Sequence, residues 1–303
     1  NGATHSTSTL TNGQTVTCVM TSDAACVSGN PATSNSITMS VNNPPVITSF
    51  NPLGGGAGTS VIISGSGFVG VSAVKFNTVN SSFTVNNPGQ ITATAPVGVT
   101  TGPISVTTPC GTASSLGNFN GTVGLNVKVF IEGFYTGSGQ MTGVLSPTVC
   151  DTIIVSLASN ISPYAIEYTV KGTINTTGDG TFNFPGAAFG KSFYLVINHR
   201  NTLETWSSTP FALPSAVNNY NFTTGASQAY GNNMIGFGGS FAIFSGDVNQ
   251  DGVINASDIL AMENSLQLIS FGYYPSDLTG DNLVEAADFS LIENNVGKSR
   301  IKP

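Results

Sequence analysis

Charged residues are scarce in this sequence. Only 8% of its 303 residues are Asp, Glu, Lys or Arg, against about 25% in an ordinary soluble protein. The eight basic residues form no patch that could neutralise phosphates, which excludes nucleic acid as a partner. Long hydrophobic runs are also missing. Because a membrane-spanning helix needs about 18 consecutive apolar residues, no membrane span is predicted.

Cysteine is equally sparse, with four residues in the whole chain. No pair forms a CxxC motif and only two histidines could join them, so a zinc site is not expected. Cys18 and Cys26 flank a short turn, and we predict a disulfide between them, which suits an oxidising exterior. Cys110 and Cys150 either pair with each other or stay buried as small hydrophobic residues.

The polar residues that are present are mainly Ser, Thr and Asn. Together with 36 glycines, they separate short stretches in which apolar residues alternate with polar ones. Thr and Val fit the pleat of a strand, while Gly and Asn supply the positive φ angles of tight turns. The composition therefore predicts a mainly β fold.

The first two segments divide at consecutive prolines. Residues 1–43 contain the alternating stretches "QTVTCVM" and "SNSITMSVN", too few strands for a core, so they predict a partial immunoglobulin-like domain. Its missing strands either precede it or come from another chain. Residues 44–120 begin with "PPVITSFNPLGGGAGTSVIISGSGF" and continue with "VKFN", "ITATAP" and "GPISVTT". This stretch resembles the IPT/TIG domain, which implies an immunoglobulin-like β-sandwich.

A further β-sandwich is predicted over residues 121–245. Stretches such as "DTIIVSLAS" and "SFYLVINHR" alternate between turns about 8–12 residues apart. Its densest polar patch holds His199, Arg200, Asn201, Glu204 and Trp206. One interpretation is a strand-end cluster in which Arg200 pairs with Glu204 and Trp206 covers the core; the others are ligand contact and catalysis. No nucleophile elbow or second carboxylate accompanies the patch, so no enzyme is predicted.

The acidic residues are concentrated at the end of the chain. Nine acidic and three basic residues lie from Asp247 onward, a net charge of −6, against −1 for the preceding residues. Numbered from Asp247, the stretch "DVNQDGVINASD" has oxygen-bearing groups at the spacing of a twelve-residue Ca²⁺ loop, with Gly252 at position 6. The predicted ligands are Asp247, Asn249, Asp251, the main-chain carbonyl of Val253, Asn255 and Asp258.

The same spacing recurs about thirty residues later in "DLTGDNLVEAAD". Asn282 replaces glycine at position 6, which Asn tolerates, and Glu285 adds a carboxylate. Each loop leads into a helical pattern, "ASDILAMENSLQ" and "AADFSLIENNVG". Two Ca²⁺ sites are predicted; the competing interpretation is a pair of acidic turns without metal. The second set of ligands is Asp277, Thr279, Asp281, the carbonyl of Leu283, Glu285 and Asp288.

Residues 246–303 resemble a type I dockerin-like module on the basis of these paired loops. The resemblance implies folding that depends on Ca²⁺, because the carboxylates repel until metal bridges them. It completes the predicted fold class: serial immunoglobulin-like β-sandwiches followed by a small α-helical Ca²⁺-binding module. Dockerins are recognised by cohesins at residues just after each loop. Ala256/Ser257 and Ala286/Ala287 lack the usual Ser–Thr pairs, which argues against a cohesin partner.

Residues 121–303 are also similar to the C-terminal region of large secreted surface proteins of Bacteroidota. The similarity lies in "LNVKVFIEGFY", "YAIEYTVKGTIN", "NHRNTLETWSS" and "AIFSGDVNQDGVI". It implies export by the type IX secretion route and a location at the cell surface, with this region as a sorting or anchoring signal.

The sequence therefore predicts a non-enzymatic, extracellular, structural or adhesive protein that Ca²⁺ makes rigid at its C-terminal end. Self-association into a filament, a partner in the surface or secretion machinery, and a glycan ligand are compatible with this prediction. The alternative is an accessory carbohydrate-binding or docking region of a secreted glycan-degrading enzyme.

Overall fold

Strands dominate the computed structural model, which describes residues 7, 9–26, 28–267 and 273–303. Within these residues the only α-helices lie near the end of the chain, so the predicted fold class is confirmed. The chain divides into two units, of which the first contains residues Asn1–Pro52, Gly58–Gly98 and Gly102–Asn118. The second contains Leu53–Ala57, Val99–Thr101 and Phe119–Pro303.

The first unit begins with four short strands that pair in twos. β1 pairs with β4 and β2 with β3, both antiparallel. Their apolar side chains are largely exposed: Val19 is 56%, Met20 69% and Ile37 65% exposed. These strands thus form no core of their own. They are β1 (Thr15–Val16), β2 (Val19–Met20), β3 (Ala32–Thr33) and β4 (Ile37–Thr38).

The rest of the first unit contains two four-stranded sheets, with the orders β5-β6-β10-β9 and β12-β11-β7-β8. Alternation in "SVIIS" buries Val61 and Ile63 completely while Ile62 stays 45% exposed, as expected of a strand with one covered face. The strands are β5 (Val46–Asn51), β6 (Ser60–Ser66), β7 (Ala73–Phe76), β8 (Val79–Asn80), β9 (Ser82–Asn87), β10 (Gln90–Thr94), β11 (Gly102–Thr108) and β12 (Gly111–Phe119).

The predicted disulfide between Cys18 and Cys26 is not formed in this structure, in which all four cysteines are free thiols. The reason is strand pairing: the residue opposite Cys18 is Ser34, whose backbone N–H donates to the Cys18 carbonyl at 2.8 Å. Cys110 is exposed, whereas Cys150 is buried as a small hydrophobic residue. Burial raises the pKa of the Cys150 thiol to about 12.

The second unit contains a β-domain with two main sheets around one core. Their orders are β18-β13-β22 and β17-β16-β19-β20, and β21 also pairs with β19. The strands are β13 (Thr122–Lys128), β14 (Tyr135–Gly137), β15 (Gln140–Met141), β16 (Val149–Ser159), β17 (Ile166–Asn175), β18 (Asp179–Pro185), β19 (Ser192–Asn198), β20 (Thr205–Trp206), β21 (Phe211–Ala212), β22 (Val217–Asn221), β23 (Ile235–Phe237) and β24 (Ser240–Ala242).

Aromatic and β-branched side chains from both sheets fill this core. Five short 3-10 helices connect the strands. They lie at Glu132–Phe134, Gly186–Ala188, Phe222–Thr224, Ala226–Gln228 and Tyr230–Asn232.

The acidic tail of the second unit contains two helices, α1 (Ala256–Gln267) and α2 (Ala286–Asn295). Their buried faces pack on a small apolar cluster that includes Leu203 and Phe244 from the β-domain. The tail residues in this cluster are Ile254, Met262, Leu278 and Ile292, all fully buried. Among the described residues, no helix has the length and hydrophobicity to span a membrane.

Candidate metal centre

The first predicted loop is organised around the Asp258 carboxylate at position 12. Its Oδ1 accepts the backbone N–H groups of Val248 and Asn249 at 2.8 and 3.1 Å. Its Oδ2 accepts the N–H of Asn255 at 2.9 Å. Three charge-assisted hydrogen bonds therefore bring both ends of the loop to one buried side chain.

The second predicted loop repeats this arrangement around Asp288. Its Oδ1 accepts from the N–H groups of Leu278 and Thr279 at 2.8 and 2.9 Å, and its Oδ2 accepts from Glu285 at 2.8 Å. The loops thus share the three hydrogen bonds to position 12, although Gly occupies position 6 in only one of them. Similar spacing in the sequence has produced the same local structure twice.

Position 1 is linked to position 6 in both loops. Asp247 Oδ2 accepts from the Gly252 N–H, and Asp277 Oδ2 accepts from the Asn282 N–H, both at 3.1 Å. Gly252 has a φ of 90° and Asn282 a φ of 69°, so both lie in the left-handed region that favours Gly and admits Asn. The substitution at position 6 of the second loop therefore preserves the turn.

The predicted ligands differ in burial according to their position. Those at positions 1 and 12 are buried, and the others are exposed or half-buried. Each loop therefore has a buried carboxylate pair and a more open set of oxygen groups. The buried pairs are Asp247 with Asp258 and Asp277 with Asp288; the open sets are Asn249, Asp251, Val253 and Asn255, and Thr279, Asp281, Leu283 and Glu285.

Two buried oxygens among these ligands have no hydrogen-bond partner: Asp247 Oδ1 in the first loop and Thr279 Oγ1 in the second. An unpaired buried oxygen is costly, and a bound cation would satisfy it. Carboxylate, amide, hydroxyl and carbonyl oxygens are the donors that Ca²⁺ prefers. The residues present in both loops therefore fit this ion.

Electrostatics favour a cation most clearly at the first loop. Burial, together with the neighbouring carboxylates of Asp258 and Asp251, raises the pKa of Asp247 to about 6. Burial also raises the pKa of Asp277, but the N–H groups of Gly280 and Asn282, and then the nearby Arg200 guanidinium, oppose that rise. The first loop therefore has closely spaced acids and the second has a compensating positive charge.

Acidic, His and Cys side chains alone do not form a metal cluster. In the described ranges, no three or more of them are placed to hold an ion. One reason is that Asp251 and Asp281 turn an oxygen towards the backbone: their Oδ1 atoms accept from the N–H groups of Val253 and Leu283, each at 2.9 Å. The predicted sites depend on amide, hydroxyl and main-chain oxygens as well.

The second loop is anchored to the β-domain through its main chain. Asn201 Nδ2 and Arg200 Nη1 donate to the carbonyl oxygen of Asp277 at 3.0 and 3.2 Å. Arg200 also donates to the Tyr274 carbonyl. Gly133 lies so close to the Leu278 carbonyl that an added Cβ would sit 2.0 Å from its oxygen. The loop therefore packs directly on the β-domain.

Asp151 is the buried charge at the centre of this anchor. Its Oδ2 accepts from Arg200 Nε at 3.1 Å and contacts His199 Nε2 at 3.0 Å, and Tyr273 OH donates to its Oδ1 at 2.5 Å. Burial alone would raise the pKa of Asp151, but the contact with His199 and the hydrogen bonds from Tyr273 and the Thr152 N–H outweigh burial and lower it to about 2. Burial lowers the pKa of His199, and the contact with Asp151 opposes that change.

A second buried acid holds α2. Glu132 Oε2 accepts from Asn295 Nδ2 at 2.6 Å and from the Ser245 N–H at 2.9 Å. The same Asn295 amide donates to the Ser245 carbonyl at 2.9 Å. Burial raises the pKa of Glu132, while these hydrogen bonds oppose the rise. The end of α2 is therefore fastened to the point where the β-domain joins the tail.

The predicted pairing of Arg200 with Glu204 is wrong. Arg200 turns to Asp151 and the second loop, and Glu204 accepts from Trp206 Nε1 at 2.7 Å and lies 3.5 Å from Arg300 Nη1. Trp206 is buried, as the strand-end interpretation expected. The polar patch is thus largely a tail anchor.

Sequence reasoning missed Asp151 and Glu132. The available signal was an isolated acid in an otherwise apolar stretch, "VCDTIIV" and "VFIEGF". Such an acid is buried only when it is paired.

Comparisons with known families agree with both domain resemblances. Residues 245–297 match the family model of the Dockerin type I domain, and residues 45–140 match that of the IPT/TIG domain. No curated protein matches the chain. Neither matched domain type is catalytic. Type I dockerins bind calcium, which suggests Ca²⁺ as the ion of the tail, and the two domain types together indicate an extracellular adhesive or carbohydrate-related role.

Solved structures show only low overall likeness to this chain. Gamma-CGTase from alkalophilic Bacillus clarkii is 17% identical, with 69% of this chain and 36% of that chain covered and a TM-score of 0.28. SGBP-B from a xyloglucan utilization locus of Bacteroides uniformis is 14% identical, with 65% and 52% covered and a TM-score of 0.28. An auxiliary nutrient binding protein from Bacteroides thetaiotaomicron is 13% identical, with 55% and 46% covered and a TM-score of 0.25. The chain spans about a third to a half of these proteins, and such scores assign no function.

Proposed function

We propose that this chain is a non-enzymatic structural or adhesive protein of the cell exterior whose tail binds two Ca²⁺ ions. The observation that carries the proposal is the unpartnered buried oxygen in each loop, Asp247 Oδ1 and Thr279 Oγ1. Both atoms belong to groups that the loop spacing assigns as ligands. In both loops the position-12 carboxylate already accepts three backbone N–H groups.

Calcium would act on the tail by neutralising its buried carboxylates. The first ion would be held by Asp247, Asn249, Asp251, the Val253 carbonyl, Asn255 and Asp258, and the second by the corresponding residues from Asp277 to Asp288. Once the carboxylate repulsion is removed, the loops remain packed on the β-domain through Arg200, Asn201 and Glu132. The ions thereby make the tail and the β-domain one rigid element.

Location at the cell surface is the second part of the proposal. Serial β-sandwiches with very few charges suit an exterior structural role, and the two matched domain types are compatible with it. The resemblance of residues 121–303 to secreted Bacteroidota surface proteins supports export by the type IX route. Tracking epitope-tagged chain in cells with and without that secretion system tests the route: loss of surface signal is expected.

Self-association is a third part, supported by the exposed apolar strands of residues 1–43. Val19, Met20 and Ile37 have no covering core, and exposed strands of this kind pair readily with another chain. Native mass measurement tests it. Higher multiples of the subunit mass are expected, and a uniform 31.0 kDa species would contradict self-association.

Calcium binding is tested by calorimetric titration of the full chain, combined with limited proteolysis in EDTA. We expect two bound ions and rapid cleavage of the tail when EDTA is present. Asp247→Ala combined with Asp258→Ala should remove one ion. Asp23→Ala, which removes an exposed acid of the first unit, is the matched control. Absence of binding at millimolar Ca²⁺ would rule out the metal sites.

A further inference from the structure

The outer face of the sheet β18-β13-β22 carries a row of polar side chains, which we call the amide ladder: Thr181, Asn126 and Asn219. Asn126 lies opposite Thr181 in one neighbouring strand and opposite Asn219 in the other. Thr181 Oγ1 donates to Asn126 Oδ1 at 2.8 Å, and Asn126 Nδ2 donates to Asn219 Oδ1 at 2.9 Å. The ladder therefore crosses all three strands in one fixed orientation.

The amide ladder faces outward because successive side chains of a strand point to opposite faces of the sheet. Leu125 and Val127 of β13 point into the core and are buried, so Asn126 between them must face outward. Phe182 of β18 has the same effect on Thr181. The hydrogen bonds between the ladder side chains limit their rotamers, which lowers the entropic cost of binding a ligand.

Two cavities adjoin at this face. One has a volume of about 510 Å³ and the other about 240 Å³, and both are lined by Asn126, Asp179 and Asn219. The larger cavity also reaches Thr173 and Thr181. Ligand sites commonly measure roughly 300–1,000 Å³, so the pair forms a groove long enough for a ligand of several small units.

The groove has little net charge. Its acid, Asp179, lies 3.2 Å from Lys128 Nζ, which the smaller cavity also exposes. The remaining polar lining consists of amides and hydroxyls, each able to donate and to accept. Asn219 Nδ2 donates to no other described side chain, so it is available to a ligand. This lining suits neutral hydroxyl groups, and Tyr220 adds apolar surface beside them in the smaller cavity.

We propose that this groove binds a neutral oligosaccharide. The proposal rests on the extracellular adhesive role above and identifies the class of ligand that this role would engage. The ring hydroxyls of a sugar, like the ladder amides, donate and accept on neighbouring atoms. A row of alternating amide donors and acceptors therefore matches a row of hydroxyls along a chain of sugars.

Binding is tested with the full chain on an array of short neutral gluco-, xylo-, manno- and galacto-oligosaccharides, beside acidic and basic glycans. Titration calorimetry then measures the neutral oligosaccharide that gives the strongest signal. Asn219→Ala should weaken binding about fivefold and Asn126→Ala about tenfold, since each removes one or two hydrogen bonds. Asn86→Ala, an exposed strand asparagine of the first unit, should change nothing.

Thermal melting of each variant separates lost binding from lost folding, and Asn219→Ala serves this purpose best because its side chain is exposed. Absence of binding to every neutral glycan at millimolar concentration overturns the proposal. Binding that is confined to charged glycans also overturns it, as does glycan binding that remains unchanged in both Asn219→Ala and Asn126→Ala. Glycan binding by the Asp247→Ala/Asp258→Ala protein, measured beside its Ca²⁺ titration, distinguishes failure of this inference from failure of the calcium proposal.

Discussion

The two loops of the tail share their main internal hydrogen bonds but have different surroundings. In each, the position-12 aspartate accepts three backbone N–H groups, as Asp258 and Asp288 do. The second loop is anchored to the β-domain, where Arg200 and Asn201 donate to the Asp277 carbonyl. The first loop is held by residues 298–300 and by a weaker side-chain bond to the β-domain, in which Gln250 Nε2 donates to the Thr202 carbonyl at 3.3 Å.

The contacts of the first loop with residues 298–300 are main-chain bonds. The Arg300 N–H donates to the Gly252 carbonyl at 2.7 Å, and the Ile254 N–H donates to the Lys298 carbonyl at 2.9 Å. Neighbouring carboxylates add to the rise in the pKa of Asp247, whereas the Arg200 guanidinium opposes the rise in the pKa of Asp277. We infer that the first loop depends more on Ca²⁺ and the second more on the β-domain.

The largest effect is expected from the position-12 carboxylates. Asp288→Ala leaves three backbone N–H groups without their acceptor and should lower the free energy of unfolding of the tail by about 3 kcal/mol or more. Asp258→Ala should cost a similar amount. Hydrogen exchange distinguishes the two: only Asp288→Ala should also expose the Asn201 region. Asp281→Ala, which removes an exposed acceptor, is the mild control. Identical exchange patterns for both variants would remove the distinction between the loops.

Arg200→Ala tests the anchor itself. It leaves Asp151 buried without its guanidinium partner and should cost about 3 kcal/mol. Arg200→Lys should rescue little, because an ammonium cannot reach Asp151 and the two carbonyls together. Calcium titration should show weaker binding at the second loop and little change at the first. Equal weakening of Ca²⁺ binding at both loops would contradict the inference that the two loops are held by different contacts.

Removal of calcium should affect the first loop more than the second, the reverse of the effect expected for Arg200→Ala. When the free Ca²⁺ concentration is 100 times the dissociation constant of a site, binding adds about 2.7 kcal/mol to the free energy of unfolding. EDTA removes that contribution. Because Arg200 remains beside the second loop, residues 247–258 should lose protection from hydrogen exchange before residues 277–288. Simultaneous loss would indicate that the loops open as one unit.

Acid should release the anchor through Asp151. Its pKa in the folded protein, about 2, lies below its ordinary value of 3.8. The stabilisation is therefore complete above about pH 4 and is lost as the pH falls towards 2, for a change of about 2 kcal/mol. Denaturant midpoints across this range should fall more steeply in the natural protein than in Asp151→Asn. Parallel curves would show that Asp151 contributes nothing to acid sensitivity.

The smallest effect is expected at Arg300. Its Nη1 lies 3.5 Å from Glu204, and both side chains are partly exposed, so Arg300→Ala should change stability by about 0.5 kcal/mol. Its backbone bond to Gly252 survives the substitution. A loss as large as that of Arg200→Ala would show that the first loop also depends on a side-chain anchor.

Part of the site could be predicted from sequence because its contacts are local. Asp258 bonds to residues three to ten positions away, so the twelve-residue spacing itself carries the information. The Cys18–Cys26 disulfide failed for the opposite reason. Proximity in sequence suggested a pair, but the ladder of β2 with β3 placed Ser34 opposite Cys18.

The alternating strands, the two loops and the helices that follow them can be read from the amino-acid order, since each depends on neighbours within one turn or strand. The packing of the tail on the β-domain, by contrast, depends on contacts between residues far apart in the chain. Arg200 meets Asp277 across 77 positions and Asn295 meets Glu132 across 163. Such partners are chosen by how the sheets and helices pack together. The choice of Asp151 over Glu204 as the partner of Arg200 follows from that packing, which no local pattern records.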